Sequence, residues 1–327
     1  MRPTLPPWAA TWSSSSRKPC RPCSRSSTFG PASASWRAPS RRWVGSGAYP
    51  FGSVRKLLLA RGSDVDATLY RSEAQDEGDS AAAVRVLQGS VQPLLLQSSR
   101  FEVVRLVPGA GIPVLSLRFD GAVAVDLSCH NTEPLRNSQL LRAHAQVSPL
   151  VRGLALLVKL WSKAAGVCGA QSWNLTSYAL ALMVIYFLQV HPDSGLPLLS
   201  TQLFDGFGRL PAAPRWECQA PLPGALPRFF VFYEREFEWG REVASVRLGR
   251  RCRAGSPEVT LLPNAADHRL HVEDPFLTGR NLNCVLGLEQ EARLQAALRA
   301  AEAALRGGAL PLGLGGVEVS AGGVPAG

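Results

Sequence analysis

The stretch 51–69, FGSVRKLLLARGSDVDATL, limits what this chain can fold into more than any other. Gly52-Ser53 opens it and Asp64-Val65-Asp66 closes it. Val65, Thr68 and Leu69 suit a strand. Side chains along a strand alternate faces, so Asp64 and Asp66 point the same way. Two adjacent carboxylates repel unless a cation lies between them. An oxygen-lined site of this kind suits a hard divalent ion, Mg2+ or Mn2+. Two-metal phosphoryl chemistry calls for a further carboxylate on a neighbouring strand. Asp126, in Val123-Ala124-Val125-Asp126-Leu127-Ser128, is the candidate. A solvated strand end is the commoner fate of a lone Asp-x-Asp. The Gly-Ser turn upstream and the strand-borne Asp downstream lift this one above that fate.

The chain has 327 residues, 46% of them hydrophobic, enough for two domains with sizeable cores. A net charge of +10 favours an anionic partner, and nucleic acid or nucleotide is the simplest. Seven cysteines at scattered spacing argue against a disulfide framework and fit a reducing compartment. Cys20 and Cys23 form a C-x-x-C with no second pair at zinc-site spacing. The most apolar run, 175–190, carries Thr176, Ser177 and Gln189 and reads as a buried helix, not a membrane span.

Residues 1–45 are rich in Ser, Arg and Pro, and no Asp or Glu precedes Asp64. Disorder is expected there. Such a leader is similar to an organelle transit peptide, which would give a mitochondrial address. The other reading is a gene model whose true first exon is missing or out of frame; without an organelle address the location would be cytoplasmic. Residues 46–140 read as an α/β half. In order come a strand, the Gly-Ser turn opening a basic helix, and the Asp64–Asp66 strand. A helix over 81–97 follows, with Val84, Leu87, Val91, Leu94 and Leu95 on one side. Strands at 102–107 and 113–119 precede a turn at Gly121 into the Asp126 strand. From Asn137 onward, and throughout 141–306, the chain reads as mainly helical. Helices are expected at 149–165, 172–189, 229–239 and 288–306, with a Pro- and Leu-rich loop at 192–227. Short strands are expected at 243–248 and 268–272. Residues 307–327 form a Gly-rich tail.

In this order the segments resemble the non-canonical poly(A) polymerase and terminal uridylyltransferase family, within the DNA polymerase β-like nucleotidyltransferases. The resemblance covers residues 46–306. FGS followed by SDVD is similar to the catalytic signature, with Ser53 and Asp64 standing 11 positions apart as in that pattern. VDLSCHN resembles the third-carboxylate strand and SWNLTSYALALMVIYFLQ the central helix. LPRFFVFYEREFEWG resembles a helix of the PAP-associated module, and HVEDPF the nucleotide-pocket motif.

The resemblance implies an α+β fold: a nucleotidyltransferase palm, a mainly helical PAP-associated domain and a cleft between them. It implies template-independent addition of UMP from UTP to an RNA 3′ end, with Asp64, Asp66 and Asp126 as catalytic and metal-binding residues. Gly52, Ser53 and Ser63 would meet phosphate, where the N–H groups of a turn and helix start are suited to it. Lys159 and Lys163, four apart on one helix face, would reach the triphosphate. Ser177 and Tyr178 would touch phosphate and base, Asn137 the ribose hydroxyl and Asp274 the base. Plainer readings stand beside these: an exposed basic helix face for the lysines, core packing for Tyr178 and a helix cap for Asn137.

Three departures bear on function. Leu57-Leu58 stand where the family has Gly-Leu. Leu277 follows EDPF where uridylyltransferases of the kinetoplastid type carry Glu. No His follows Phe276. The retained Asp274 favours UTP; adenylyl addition from ATP is the alternative, and a catalytically inactive RNA-binding scaffold the third reading. RNA contact would come from surface arginines such as Arg118, Arg136 and Arg142, through phosphates. No membrane partner is indicated.

Overall fold

A computed structural model describes residues 46–52, 64–71, 79–108, 112–217, 222–260, 270–309 and 311. The leader, the basic segment after Gly52 with Ser53, Leu57 and Ser63, and the tail beyond 311 lie outside the described residues. The chain divides into two compact units, Met1–Ala145 with Gln202–Ala213, and Gln146–Thr201 with Pro214–Gly327.

The first unit is built on a five-stranded sheet in the order β1-β2-β5-β4-β3. Its strands are β1 (Ser46–Phe51), β2 (Val65–Arg71), β3 (Phe101–Val107), β4 (Val114–Phe119) and β5 (Val123–Cys129). β2 and β5 run parallel, and the other neighbours are antiparallel. β1 is an edge strand, which is where Pro50 can sit without breaking a ladder. In β2, Val65, Ala67 and Leu69 are buried in the core, which leaves Asp66, Thr68 and Tyr70 for the opposite face. β3 and β4 form a hairpin, and Asp120 and Gly121, both in the left-handed region, turn the chain from β4 into β5.

The core face is covered by α1 (Ser80–Val86), a π turn (Leu87–Val91) and α2 (Gln92–Leu96). Asp79 caps α1 by accepting from the Ala81 and Ala82 N–H groups. The buried stripe is Ala83, Leu87, Val91 and Leu95, spaced by four throughout. An α-helix with 3.6 residues per turn lets such a stripe drift by about 40° each step. The wider π turn takes up part of that drift and keeps the stripe on the sheet. Val84 and Leu94 flank it half-buried. On the other face, Thr68 and Ser128 are buried, and α3 (Glu133–Val147) follows β5. The segment 202–213 returns to α3. Arg136 Nε donates to the Phe204 carbonyl, Gln139 Nε2 to the Gly208 carbonyl, and the Gly206 N–H to Gln139 Oε1.

The second unit is mainly helical: α4 (Pro149–Ala164), α5 (Ser177–Val190), α6 (Leu222–Val231) and α7 (Leu288–Arg306). α5 is apolar all round and almost wholly buried, as such a helix must be. Tyr186 and Phe187 of α5 pack against Phe232. The Tyr233 hydroxyl donates to the Met183 carbonyl. α5 starts at Ser177, five residues later than the periodicity suggests, because Trp173 holds left-handed backbone that no helix admits. α6 starts earlier than expected, with Pro227 inside it, and a π turn (Phe232–Glu236) ends the run. Of the two expected short strands, the first shrinks to β6 (Val243–Ala244); the second, whose residues 268–269 lie outside the described residues, gives β7 (His271–Val272), and the two pair in parallel. Beyond β6 the Ser245 hydroxyl accepts the Leu248 N–H and bends the chain away. No helix among the described residues is long and apolar enough to cross a membrane.

Candidate metal centre

Asp66 lies near the start of β2 with Asp64 just before the strand, and register places Asp126 of β5 directly opposite Asp66. One carboxylate oxygen from each of the three residues lies within 4.8 Å of the others. Asp64 is exposed, and Asp66 and Asp126 are half-buried. Each pair of ionised carboxylates at such a separation repels by on the order of 1 to 3 kcal/mol. This is a cost that a divalent cation removes and that folding alone does not.

Neighbouring residues fix the trio. Ser116 of β4 opposes Asp126 and donates its hydroxyl to Asp126 Oδ1 at 2.8 Å. Phe51 opposes Asp66, so the chain turns at Gly52 directly beside that carboxylate. Gly52 has φ +66°, and a Cβ there would stand 2.1 Å from Asp66 Oδ2. The Gly52 N–H donates to the Ser138 hydroxyl of α3 at 3.0 Å, which pins the turn. Gly52 therefore leaves space for the Asp66 carboxylate. An all-oxygen donor set with that space kept open fits a hard divalent cation.

Asn137 is half-buried within α3, so it does not cap that helix. In the second unit, Lys159 is buried and Lys163 exposed on α4, so the two do not form one exposed basic face. Cys168 lies near both lysines; burial pushes its thiol up against their opposing pull. Ser177 and Tyr178 open α5, half-buried, behind the cap Thr176, whose hydroxyl accepts the Ala179 N–H. α4 and α5 pack together, so these four residues belong to neighbouring helices. Asp274 is 2% exposed. Its Oδ1 accepts the Phe276 and Leu277 N–H groups, and its Oδ2 lies 4.0 Å from Arg280. The carboxylate is thus engaged in its own turn. Leu277 is exposed. Of the arginines expected to meet RNA, Arg136 is tied to the Phe204 carbonyl. Arg142 is half-buried, its Nε enclosed without a hydrogen-bond partner among the described residues. Arg118 is exposed on β4.

Ser116 and Ser138 are absent from the sequence reading. Ser116 interrupts the apolar alternation of β4 two residues before Arg118, a faint signal. Ser138 acts over 86 positions and carries none.

The mixed sheet with carboxylates facing each other on its parallel pair is a nucleotidyltransferase palm. Residues 37–146 match the family model "Poly(A) RNA polymerase, mitochondrial-like, central palm domain". The chain is 28% identical over 248 residues to Poly(A) RNA polymerase GLD2-B of Xenopus laevis, covering 70% of this chain and 46% of that protein. It is 32% identical over 212 residues to Poly(A) RNA polymerase GLD2 of Danio rerio, covering 61% and 43%. It thus spans about half the length of these relatives. Among solved structures, terminal uridylyl transferase 4 of Trypanosoma brucei superposes with TM-score 0.65 at 23% identity, covering 79% of this chain and 86% of that one. The Cid1 poly(U) polymerase superposes with TM-score 0.64 at 24% identity, covering 81% and 83%. Together these matches support a non-canonical poly(A) polymerase and terminal uridylyltransferase family for the chain.

Proposed function

We propose that this chain adds nucleotides to the 3′ end of RNA without a template, and that its nucleotide is ATP. The observation that carries the reaction is the convergence of Asp64, Asp66 and Asp126 on one small volume. The RNA 3′-hydroxyl attacks the α-phosphate of the nucleoside triphosphate, the bond to the β-phosphate breaks, and pyrophosphate leaves. Asp64, Asp66 and Asp126 would hold Mg2+, which when bound supplies positive charge for the phosphoryl oxygens and lowers the pKa of the attacking hydroxyl. Ser116 holds the Asp126 carboxylate in one rotamer, and Gly52 leaves the Asp66 carboxylate its place. The chain needs no side-chain nucleophile. Gly52, Ser53 and Ser63 are assigned to phosphate, Lys159, Lys163 and Ser177 to the triphosphate, Tyr178 to the base and Asn137 to the ribose.

For the choice of base, the retained Asp274 speaks for UTP. Burial and the engagement of its Oδ1 in the turn weaken that argument, because they leave a base only Oδ2, beside Arg280. The sequence relatives are named poly(A) polymerases. A histidine-to-asparagine variant of the poly(U) polymerase is described with MgATP bound, and no His follows Phe276 here. UTP is the second reading. Purified chain, a labelled short RNA and each of the four NTPs separately decide between them. Longer 3′ tails with ATP than with UTP support the proposal, and the reverse order replaces ATP by UTP. Extension with none, from folded protein, leaves the scaffold reading.

A further inference from the structure

The acid trio does not end at Asp126. Asp66 opposes Asp126, Asp126 opposes Ser116, and Ser116 opposes Arg105, so one cross-strand row runs over four strands. Directly opposed residues share a sheet face. Arg105 is therefore on the face of the carboxylates, two strand spacings from Asp126, roughly 10 Å between backbones.

An irregularity of β3 puts it there. Val103 opposes Leu117, and Leu106 opposes Leu115, yet Val104 and Arg105 together stand against Ser116 alone. Val103 and Leu106 pack into the core with Leu115 and Leu117. In a regular strand the residue two beyond Val103 would face the core as well. The extra residue of the bulge turns Arg105 outward onto the row of Asp126, and re-aiming a side chain beside an active site is a known use of bulges. The Arg105 side chain is exposed and has no hydrogen bond or ion pair among the described residues. Two residues from Ser116 on the same face stands Arg118, whose one ion pair is a loose 4.0 Å contact with exposed Glu102. Such a pair contributes little. β3 is the last strand of the sheet.

We infer that Arg105 and Arg118 hold the phosphate backbone of the RNA next to its reactive 3′ end, so that the strand reaches Asp126 from the β3 side. This rests on the reading of the chain as an RNA 3′-terminal nucleotidyltransferase and adds the direction of approach. Guanidinium groups pair with phosphate oxygens bidentately and without regard to sequence, which suits an enzyme that extends without a template.

The test uses the full chain with Arg105→Gln, Arg118→Gln and the double variant, with Arg85→Gln on α1, over the core face, as the control. Binding of a fluorescent oligoribonucleotide is titrated over a range of salt, and extension kinetics are measured alongside. Each lost phosphate contact should flatten the log K against log salt slope by about 0.7, and the double variant by about 1.4. The KM for RNA should rise, with kcat and the KM for ATP unchanged. Glu102→Gln, which releases Arg118, should bind RNA more tightly. Unchanged slopes and RNA KM in variants that melt like the parent overturn the inference, as does an equal effect of Arg85→Gln. In either case an active parent leaves the enzyme reading standing. A parent that extends RNA with no NTP overturns both, and shows this before any variant is compared.

Discussion

Gly52→Ala separates space from flexibility at the metal centre. The backbone there has φ +66°, and an added Cβ would lie 2.1 Å from Asp66 Oδ2. Left-handed backbone costs a non-glycine residue about 1 kcal/mol. The collision has a different consequence. Contacts under 3.0 Å are not tolerated, so the carboxylate must shift by about 1 Å from the place it holds beside Asp64 and Asp126. A displacement of that size at a reacting centre costs roughly 100-fold in rate. Mn2+ affinity should fall about 10-fold, the lower end for a disturbed ligand environment. Gly121 provides the control, because it has φ +69° with nothing within 4 Å of an added Cβ. Gly121→Ala should lose about the same 1 kcal/mol in urea unfolding and bind Mn2+ like the parent. Mn2+ titration calorimetry on the three proteins, with urea unfolding alongside, reads both effects. Equal Mn2+ affinity in Gly52→Ala and the parent refutes the assignment of Gly52 as the residue that makes room for Asp66.

Other perturbations reach different parts of the molecule. Ser116→Ala should leave the fold intact and lower the extension rate about 10-fold by freeing the Asp126 carboxylate, measured as kcat at saturating ATP. Glu242→Ala removes the buried partner of both the Tyr186 hydroxyl and Arg251. It should cost about 3 kcal/mol in urea unfolding; a loss under 1 kcal/mol contradicts the pairing. His144 is buried with Nδ1 against the Leu140 carbonyl, and burial lowers its pKa from 6.5 to about 4. The unfolded chain binds that proton first, so the stability due to neutral His144 is fully present above pH 6.5 and lost as the pH falls towards 4. The loss amounts to about 3 kcal/mol. Comparing His144→Leu with the parent at pH 7 and pH 4.5 isolates it, and parallel behaviour of the two refutes it.

The acid trio could be read from the chain because alternation along a strand is local. Asp64 and Asp66 share a face by spacing alone, and Asp126 sits in a run that reads as a strand. What holds the trio could not be read. The bond from Ser116 depends on β4 pairing with β5, and the bond from Gly52 to Ser138 spans 86 positions. Arg105 is the sharper case. Simple alternation from Val103 points it into the core, and only the bulge reverses it. At Asp274 the motif names the residue but not the turn whose N–H groups its Oδ1 accepts. Helix ends shifted where backbone outweighed pattern, at left-handed Trp173 and at Pro227 within α6.

A time course of RNA extension with ATP and Mg2+, run on the parent and on Asp126→Asn at equal folded concentration, meets the central claim head-on. Removing one charge from the trio should reduce extension to the background of the assay while leaving the melting temperature near that of the parent or above it, since the mutual repulsion is relieved. Tails growing at the parental rate in Asp126→Asn would contradict the account.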